Sequence, residues 1–272
     1  MPASEPVAIV AGASGGIGAA TARALLARGD SVVIAALPDV LLDALAAELA
    51  PFGERVLVVP TDVTSREQID ALVARTLVRF GRVDVLANCA GIGSSPSFCA
   101  SGDDELERVL AVNLLGAARL MHAVLPIMKA QRRGSIVTVG SIAGEAGVMG
   151  IYSASKFGLR GLCDTVRREV RSFGVGVTLI QPGFVATPMN AAMKNLPGPE
   201  IVADAIVAAI ERPRRKRIVP AGYRLPVFFV KAFPGVTDLI FGDARIQQRL
   251  NRDAVAERAA LAERAARNGA PS

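Results

Sequence analysis

The sequence predicts an α/β fold, a single doubly wound parallel sheet with helices on both faces and a helical C-terminal extension. Three observations carry this. Short β-branched apolar runs alternate with longer stretches of helical period, each run is too apolar to leave one strand face in water, and the alternation stops at Gly222. At 272 residues the chain can bury one large core, and two independent folds are less favoured.

The elements follow in order. VAIVA (Val7–Ala11) reads as the first strand and runs through a glycine-rich turn into a helix over Gly16–Ala27. SVVIA (Ser31–Ala35) is the second strand, followed by a helix over Asp39–Ala50. RVLVVP (Arg55–Pro60) is the third, and the helix after it is the most legible. Thr64 and Glu67 have capping-box spacing, Ile69, Leu72, Val73, Leu77 and Phe80 form one stripe, and Gly81 stops it. VDVLAN (Val83–Asn88) and a long helix over Asp103–Ala130 come next, then SIVTVG (Ser135–Gly140) and a helix over Ser153–Phe173. GVTLIQP (Gly176–Pro182), a helix over Pro199–Glu211 and a weaker strand, RIVP (Arg217–Pro220), complete the alternation. An apolar stretch, YRLPVFFVKAFPGVTDLIF, and a charged helix, DARIQQRLNRDAVAERAALAERAAR, then form an extension over 222–272, packed on the unit 1–221 or on a partner subunit.

Composition excludes several classes. The net charge of +6 comes from 26 Arg against 5 Lys, scattered except for RPRRKR at Arg212–Arg217. That run reads as a solvated loop rather than a nucleic-acid or anionic-lipid contact, so no nucleic-acid partner is expected. Cys89, Cys99 and Cys163 lack the spacing of a zinc site or disulfide framework, so reduced thiols and no metal are expected. The N-terminus has no basic segment before its first strand, and Asp204, Lys231 and Asp238 interrupt the best apolar runs before the ~18 residues that span a bilayer. A reducing cytoplasm is the expected location.

Two patterns carry chemistry. In GIYSASKFG, Tyr152 is one of only two tyrosines, and Lys156 lies four residues on, over the same helix face. A cation about 4 Å from a phenol favours the phenolate by up to roughly 4 kcal/mol at an effective dielectric near 20, about three pKa units. Alone, such a pair is an ordinary surface contact worth tenths of a kcal/mol. The second pattern is AGASGGIG, which places Gly12, Ser14, Gly15, Gly16, Ile17 and Gly18 between a buried strand and a helix. Glycines there let the backbone approach a pyrophosphate whose charge meets amide N–H groups at the positive end of the helix. The spacing G-x-x-x-G-x-G differs from the more frequent G-x-G-x-x-G.

These patterns are collinear with NCAG (Asn88–Gly91), VNLLG (Val112–Gly116), GSIAG (Gly140–Gly144), YSASK (Tyr152–Lys156) and PGFVATP (Pro182–Pro188). Together, from Val7 to Thr187, they closely resemble the short-chain dehydrogenase/reductase family. The resemblance implies a Rossmann-like sheet, an NAD(P) cofactor and catalysis by Tyr152 as proton donor or acceptor. It makes Lys156 the residue that holds the nicotinamide ribose and lowers the phenol's pKa. Ser141 would bond the substrate oxygen, and Asn113 would position water between Lys156 and solvent; their plainer alternatives are a strand-end serine and a helix-bending bond to a carbonyl. Asp62 and Val63 would meet the adenine, Asp62 being otherwise a helix-entry residue. Asn88, Ala90 and Gly91 would line the adenosine side, and Pro182, Gly183, Val185 and Thr187 the nicotinamide.

Four departures stand out against the family pattern. Cys89 replaces a second asparagine, Ala11 replaces a threonine, and Ser141 precedes Tyr152 by 11 residues where 13 is usual. At the end of the second strand Ala36 and Leu37 stand where NAD-dependent members carry an acid, and neither they nor Gly15 supplies the arginine of NADP-dependent members. The missing carboxylate tilts the reading toward NADP, while Asp39 keeps NAD open.

The substrate walls implied by the resemblance include Ile92, Phe98, Val148, Met149, Phe184, Met189 and Met193, all apolar or thioether. The expected activity is therefore interconversion of a secondary alcohol and a ketone on an apolar, lipid- or steroid-like molecule, by a homo-oligomer (dimer or tetramer). The rival is a dinucleotide-binding regulatory or scaffold protein without turnover. Residues 222–241 read as a packed interface, with a lid or a weak membrane-surface contact as alternatives.

Overall fold

The computed structural model describes residues 5–191, 193–243 and 245–248. Among these, seven strands form one parallel sheet: β1 (Val7–Ala11), β2 (Ser31–Ala35), β3 (Val56–Val58), β4 (Val85–Asn88), β5 (Gly134–Val139), β6 (Val175–Pro182) and β7 (Lys216–Val219). Their order is β3-β2-β1-β4-β5-β6-β7. The chain winds outward in both directions from the β1–β4 pair, so the crossovers on either side of it diverge and leave a crevice above the carboxyl ends of the strands.

Strand periodicity divides the core. Ile9 and Ala11 of β1 point to one face, where they join the buried side chains of α3 (Arg66–Phe80), α5 (Ala117–Gln131) and α7 (Gly150–Val170). Ala8 and Val10 point to the other, packing with α1 (Gly16–Arg28), α2 (Val40–Leu49) and α8 (Glu200–Glu211). Residues Val7 to Ala11 are all buried, as a strand covered on both faces requires. The edges are different: Val56, Leu57 and Val58 of β3 are half-buried, and so are Lys216, Arg217 and Ile218 of β7. The expectation that every strand lacks a wet side therefore holds for the central strands and not for these two.

Three further expectations are corrected. The expected capping box of α3 does not form: Ser65, not Thr64, is the cap, accepting from the amide of Gln68 at 3.2 Å, while Gln68 Oε1 accepts from the Asp62 amide at 2.7 Å instead of from the cap. Thr64 is instead held by Asp62, whose Oδ1 accepts from both the Thr64 amide and hydroxyl at 2.8 Å. The long helix expected over Asp103–Ala130 is not uniform. It runs as α4 (Asp103–Leu110), widens into a π-helical turn over Ala111–Gly116, and continues as α5. Finally, this composite helix, Asp103–Gln131, is long and apolar enough to cross a membrane by length and composition. Its most apolar stretch still carries Arg119, and its buried residues Leu120, Met121, Val124 and Met128 lie in the core against the sheet.

Helices the alternation did not show are α6 (Ala143–Ala146), α9 (Arg224–Ala232) and α10 (Pro234–Phe241). The last two replace the undivided apolar stretch; the charged helix expected after it falls largely outside the described residues. A buried carboxylate ties α9 to the body. Glu145 on α6 receives Arg160 from α7 at 3.0 Å, Lys216 from β7 at 3.0 Å and Lys231 from α9 at 2.9 Å, and Gln181 donates to it at 2.8 Å. Burial alone would raise its pKa, but these donors hold it down to about 2.

Candidate active site

The turn after β1 is built so that only glycine fits at two positions. Gly12 has φ +74° and packs so close to the loop after β4 that a Cβ would lie 2.6 Å from Ala90 Cα. A Cβ on Gly18 would lie 2.1 Å from the Gly12 carbonyl oxygen. The chain folds back to start α1 at Gly16, with Gly15 as cap and no acidic residue in the first turn. The first amides of α1 therefore point, with the positive end of the helix, at open space.

That space is a cleft of about 270 Å³. Ser14, Gly15, Gly16, Ile17 and Gly18 line one side, and Gly91, Ser141, Tyr152 and Lys156 the other. Pro182, Gly183, Val185 and Thr187 close it over β6. Of the residues expected at a cofactor site, the structure brings these together. Gly12 lies beneath the turn. Ala36, Leu37, Asp62, Val63, Asn88 and Ala90 stand at or just beyond the ends of β1 to β4 without lining the cleft. Asp62 has one oxygen occupied by Thr64, and the Asn88 Oδ1 is buried with no hydrogen-bond partner. Asp39 caps α2, its Oδ1 accepting from the Leu42 amide at 2.8 Å.

The facing wall comes from α7. Gly150, at φ +49°, lets the helix start against the Ser95 carbonyl, and the Tyr152 amide donates to Ser94 Oγ at 3.2 Å. Tyr152 and Lys156 then project one turn apart, both buried. The Lys156 amine donates to the Val139 carbonyl at 3.2 Å and sits 5.5 Å from the centre of the Tyr152 ring. Ser141 stands close enough to the phenol to oppose the effect of burial on it, and its Oγ accepts from the Ala143 amide at 3.1 Å. The short helix α6 lies within the Ser141–Tyr152 segment.

Asn113 sits in the π-helical turn, 1% exposed. Its Nδ2 donates to the Ile92 carbonyl at 3.0 Å and to Ser155 Oγ at 3.1 Å, and its Oδ1 accepts from the Ile92 amide at 2.8 Å. These bonds clamp the loop after β4, so the side chain bridges two segments rather than bending its own helix. A Cβ on Gly91 would lie 3.2 Å from Lys156 Nζ and 3.3 Å from Asn113 Oδ1, which places both groups on the same floor.

Electrostatics here correct the expected sign for the phenol. Burial pushes the Tyr152 pKa up, with Ser141 opposing it, and burial brings Lys156 down to about 8. The amine engages a carbonyl rather than the phenol oxygen, so desolvation outweighs attraction between the pair. Burial also raises Cys89, which lines the cleft, to about 12 and Cys163 to about 11, which makes both thiols poor nucleophiles.

Of the expected substrate walls, Met189 lines the cleft and is 53% exposed, with its Cγ 3.7 Å from where a Gly93 Cβ would stand. Leu41, Val139, Gly140 and Asn190 also line it and were missed. Leu41 enters from the first turn of α2, and Asn190 from a loop whose position depends on its bond to the Val185 carbonyl at 2.9 Å. Tyr223 was missed as well: it covers Gly183, where a Cβ would fall 2.3 Å from its ring.

The sequence profile of the short chain dehydrogenase family matches residues 6–196. A 3-oxoacyl-[acyl-carrier-protein] reductase of Synechocystis is 38% identical over 194 residues, covering 70% of this chain and 78% of that one. Among solved structures, an actinorhodin polyketide ketoreductase with NADPH superposes with a TM-score of 0.76 at 29% identity, over 80% of this chain and 97% of that one. A short chain dehydrogenase/reductase from Burkholderia phymatum in complex with NAD gives 0.79 at 27% identity, over 86% and 95%.

Proposed function

Because the chain belongs to the short-chain dehydrogenase family, we propose that it is an NAD(P)-dependent oxidoreductase interconverting a secondary alcohol and a ketone on a small apolar molecule. One observation carries this: Ser141, Tyr152 and Lys156 share a cleft with the glycine turn and the bare start of α1.

The residues present fit a dinucleotide. Gly12 and Gly18 make a cradle that any side chain would fill, α1 begins without an acid, and Gly91 keeps the floor open beside Lys156. Gly15 to Gly18 would hold the pyrophosphate, and Lys156 the nicotinamide ribose; Val185 and Thr187 would meet the carboxamide. When bound, the cofactor supplies or takes the hydride. In reduction, Tyr152 gives its proton to the oxygen that Ser141 orients; in oxidation it takes that proton back. Burial keeps the phenol protonated at neutral pH, which favours the donating role and hence reduction. The Lys156 amine, with a pKa brought near neutrality, is suited to exchanging the proton onward, with Asn113 holding the loop across which water would pass. The relatives named as a ketoreductase and an oxoacyl reductase support the same direction.

With Asp39 engaged at the start of α2 and Ala36 and Leu37 uncharged, NADP is the preferred cofactor. The chain has no tryptophan, so nicotinamide emission reads binding without protein background. Titration should give tighter binding of NADPH than of NADH, and apolar ketones should then consume NADPH. Failure to bind either nucleotide, or binding without turnover of any apolar ketone, counts against the reading.

A further inference from the structure

Helix α9 turns its apolar side outward. Its body-facing side carries Val227, which is buried, and one turn later Lys231, bonded to Glu145. The opposite side presents Leu225, Phe228 and Phe229, and α10 follows with Leu239, 79% exposed, and no buried residue. Phe228 meets Phe229 edge-on at 5.8 Å, and Phe229 stacks on Phe233 at 6.0 Å, so the three exposed rings form one cluster. Helices packed on a folded domain bury such a face; two consecutive helices that expose it mark a contact surface.

Charge indicates what the surface meets. Lys216, within RPRRKR, shares Glu145 with Lys231, which sets the basic run beside α9. Five cations at that junction, Arg160, Lys216 and Lys231 on Glu145 and Arg167 and Arg215 on Asp164, share two carboxylates. Arg212, Arg214 and Arg224 are exposed and make no ion pair among the described residues, against Glu211, Asp238 and Asp243 nearby in the chain. A second copy docking through a twofold axis would press this basic rim against itself. An anionic bilayer surface complements both parts, aromatic and aliphatic side chains entering the headgroup boundary and arginines pairing with phosphates.

We propose that the α9–α10 face docks the protein on an anionic lipid surface. The docking is independent of turnover. It sets α6, which follows Ser141, behind the docked helix and so brings the cleft close to the lipid.

The test is flotation of the full-length protein with vesicles of equimolar phosphatidylglycerol and phosphatidylcholine, beside vesicles of phosphatidylcholine alone. Binding to the anionic vesicles should exceed binding to the neutral ones about tenfold or more. It should be lost in Phe228→Ser with Leu239→Ser and fall about tenfold in Arg214→Glu with Arg224→Glu, whose exposed side chains leave folding intact. Wild-type protein that fails to float, or floats equally with both vesicles, overturns the proposal. So does the absence of vesicle binding together with a smaller assembly for the serine variant in light scattering, which would assign the face to a second copy.

Discussion

Tyr152 and Lys156 owe their protonation to how little water reaches them. Burial disfavours phenolate and ammonium alike, raising the phenol's pKa and lowering the amine's to about 8, so the two values move apart. Spacing alone made the pair legible, because i and i+4 on a helix always face together. It could not show that the amine would be drawn to the Val139 carbonyl, which depends on where β5 ends. Leu41 and Asn190 were illegible for a related reason: nothing local marks a side chain that only tertiary packing carries into a cleft. Gly18 is the opposite case, since its role is fixed by a close approach to the Gly12 carbonyl. Gly18→Ala is expected to weaken nucleotide binding by at least about tenfold and to lower stability by about 1–3 kcal/mol, read by titration and by urea unfolding. Unchanged binding would show that the turn has slack that the packing denies.

At the scale of elements, each of the seven strand runs was found, because double-sided burial selects near-continuous β-branched sequence and little else does. Boundaries slipped where two signals compete. Thr64 and Ser65 can each cap α3; Asp62 engages Thr64, which leaves Ser65 to receive the Gln68 amide. Ser65→Ala should therefore cost about 1 kcal/mol in chemical denaturation, and Thr64→Ala less at the helix end itself. Equal losses would restore the capping box one residue earlier. The π-helical turn at Ala111–Gly116 left no trace in the periodicity, since one extra residue in a turn barely shifts an apolar stripe. Asn113 was legible as a motif residue. That it fastens the loop at Ile92 was not, because its partners lie 21 residues back in the chain.

Across the whole molecule, the sheet and its cleft form one unit, and the α9 extension is joined to it by a polar junction beside buried Val227. Glu145 is the centre of that junction, drawing α6, α7, β7 and α9 together. Its folded pKa of about 2 lies below the ordinary 4.5, so the stabilisation is present above about pH 4.5 and is lost as pH falls toward 2. The span of about 2.5 units corresponds to at most about 3 kcal/mol, lessened by the partial exposure of Arg160, Lys216 and Lys231. Glu145→Gln should lower stability at pH 7 and flatten its decline between pH 4.5 and 2, while a variant with the wild-type acid profile would move the linkage to another carboxylate. The extension was legible as apolar, but its outward-facing rings were not, because helical phase in a stretch broken by Pro226 and Pro234 is set only by what anchors it.

The central claim is that one buried phenol moves the proton, and Tyr152→Phe tests it with the loss of a single oxygen atom. With cofactor affinity and thermal midpoint held close to wild type, ketone turnover should fall by about 10²- to 10⁴-fold. Turnover within about twofold of wild type would contradict the account, because proton transfer would then not depend on this hydroxyl.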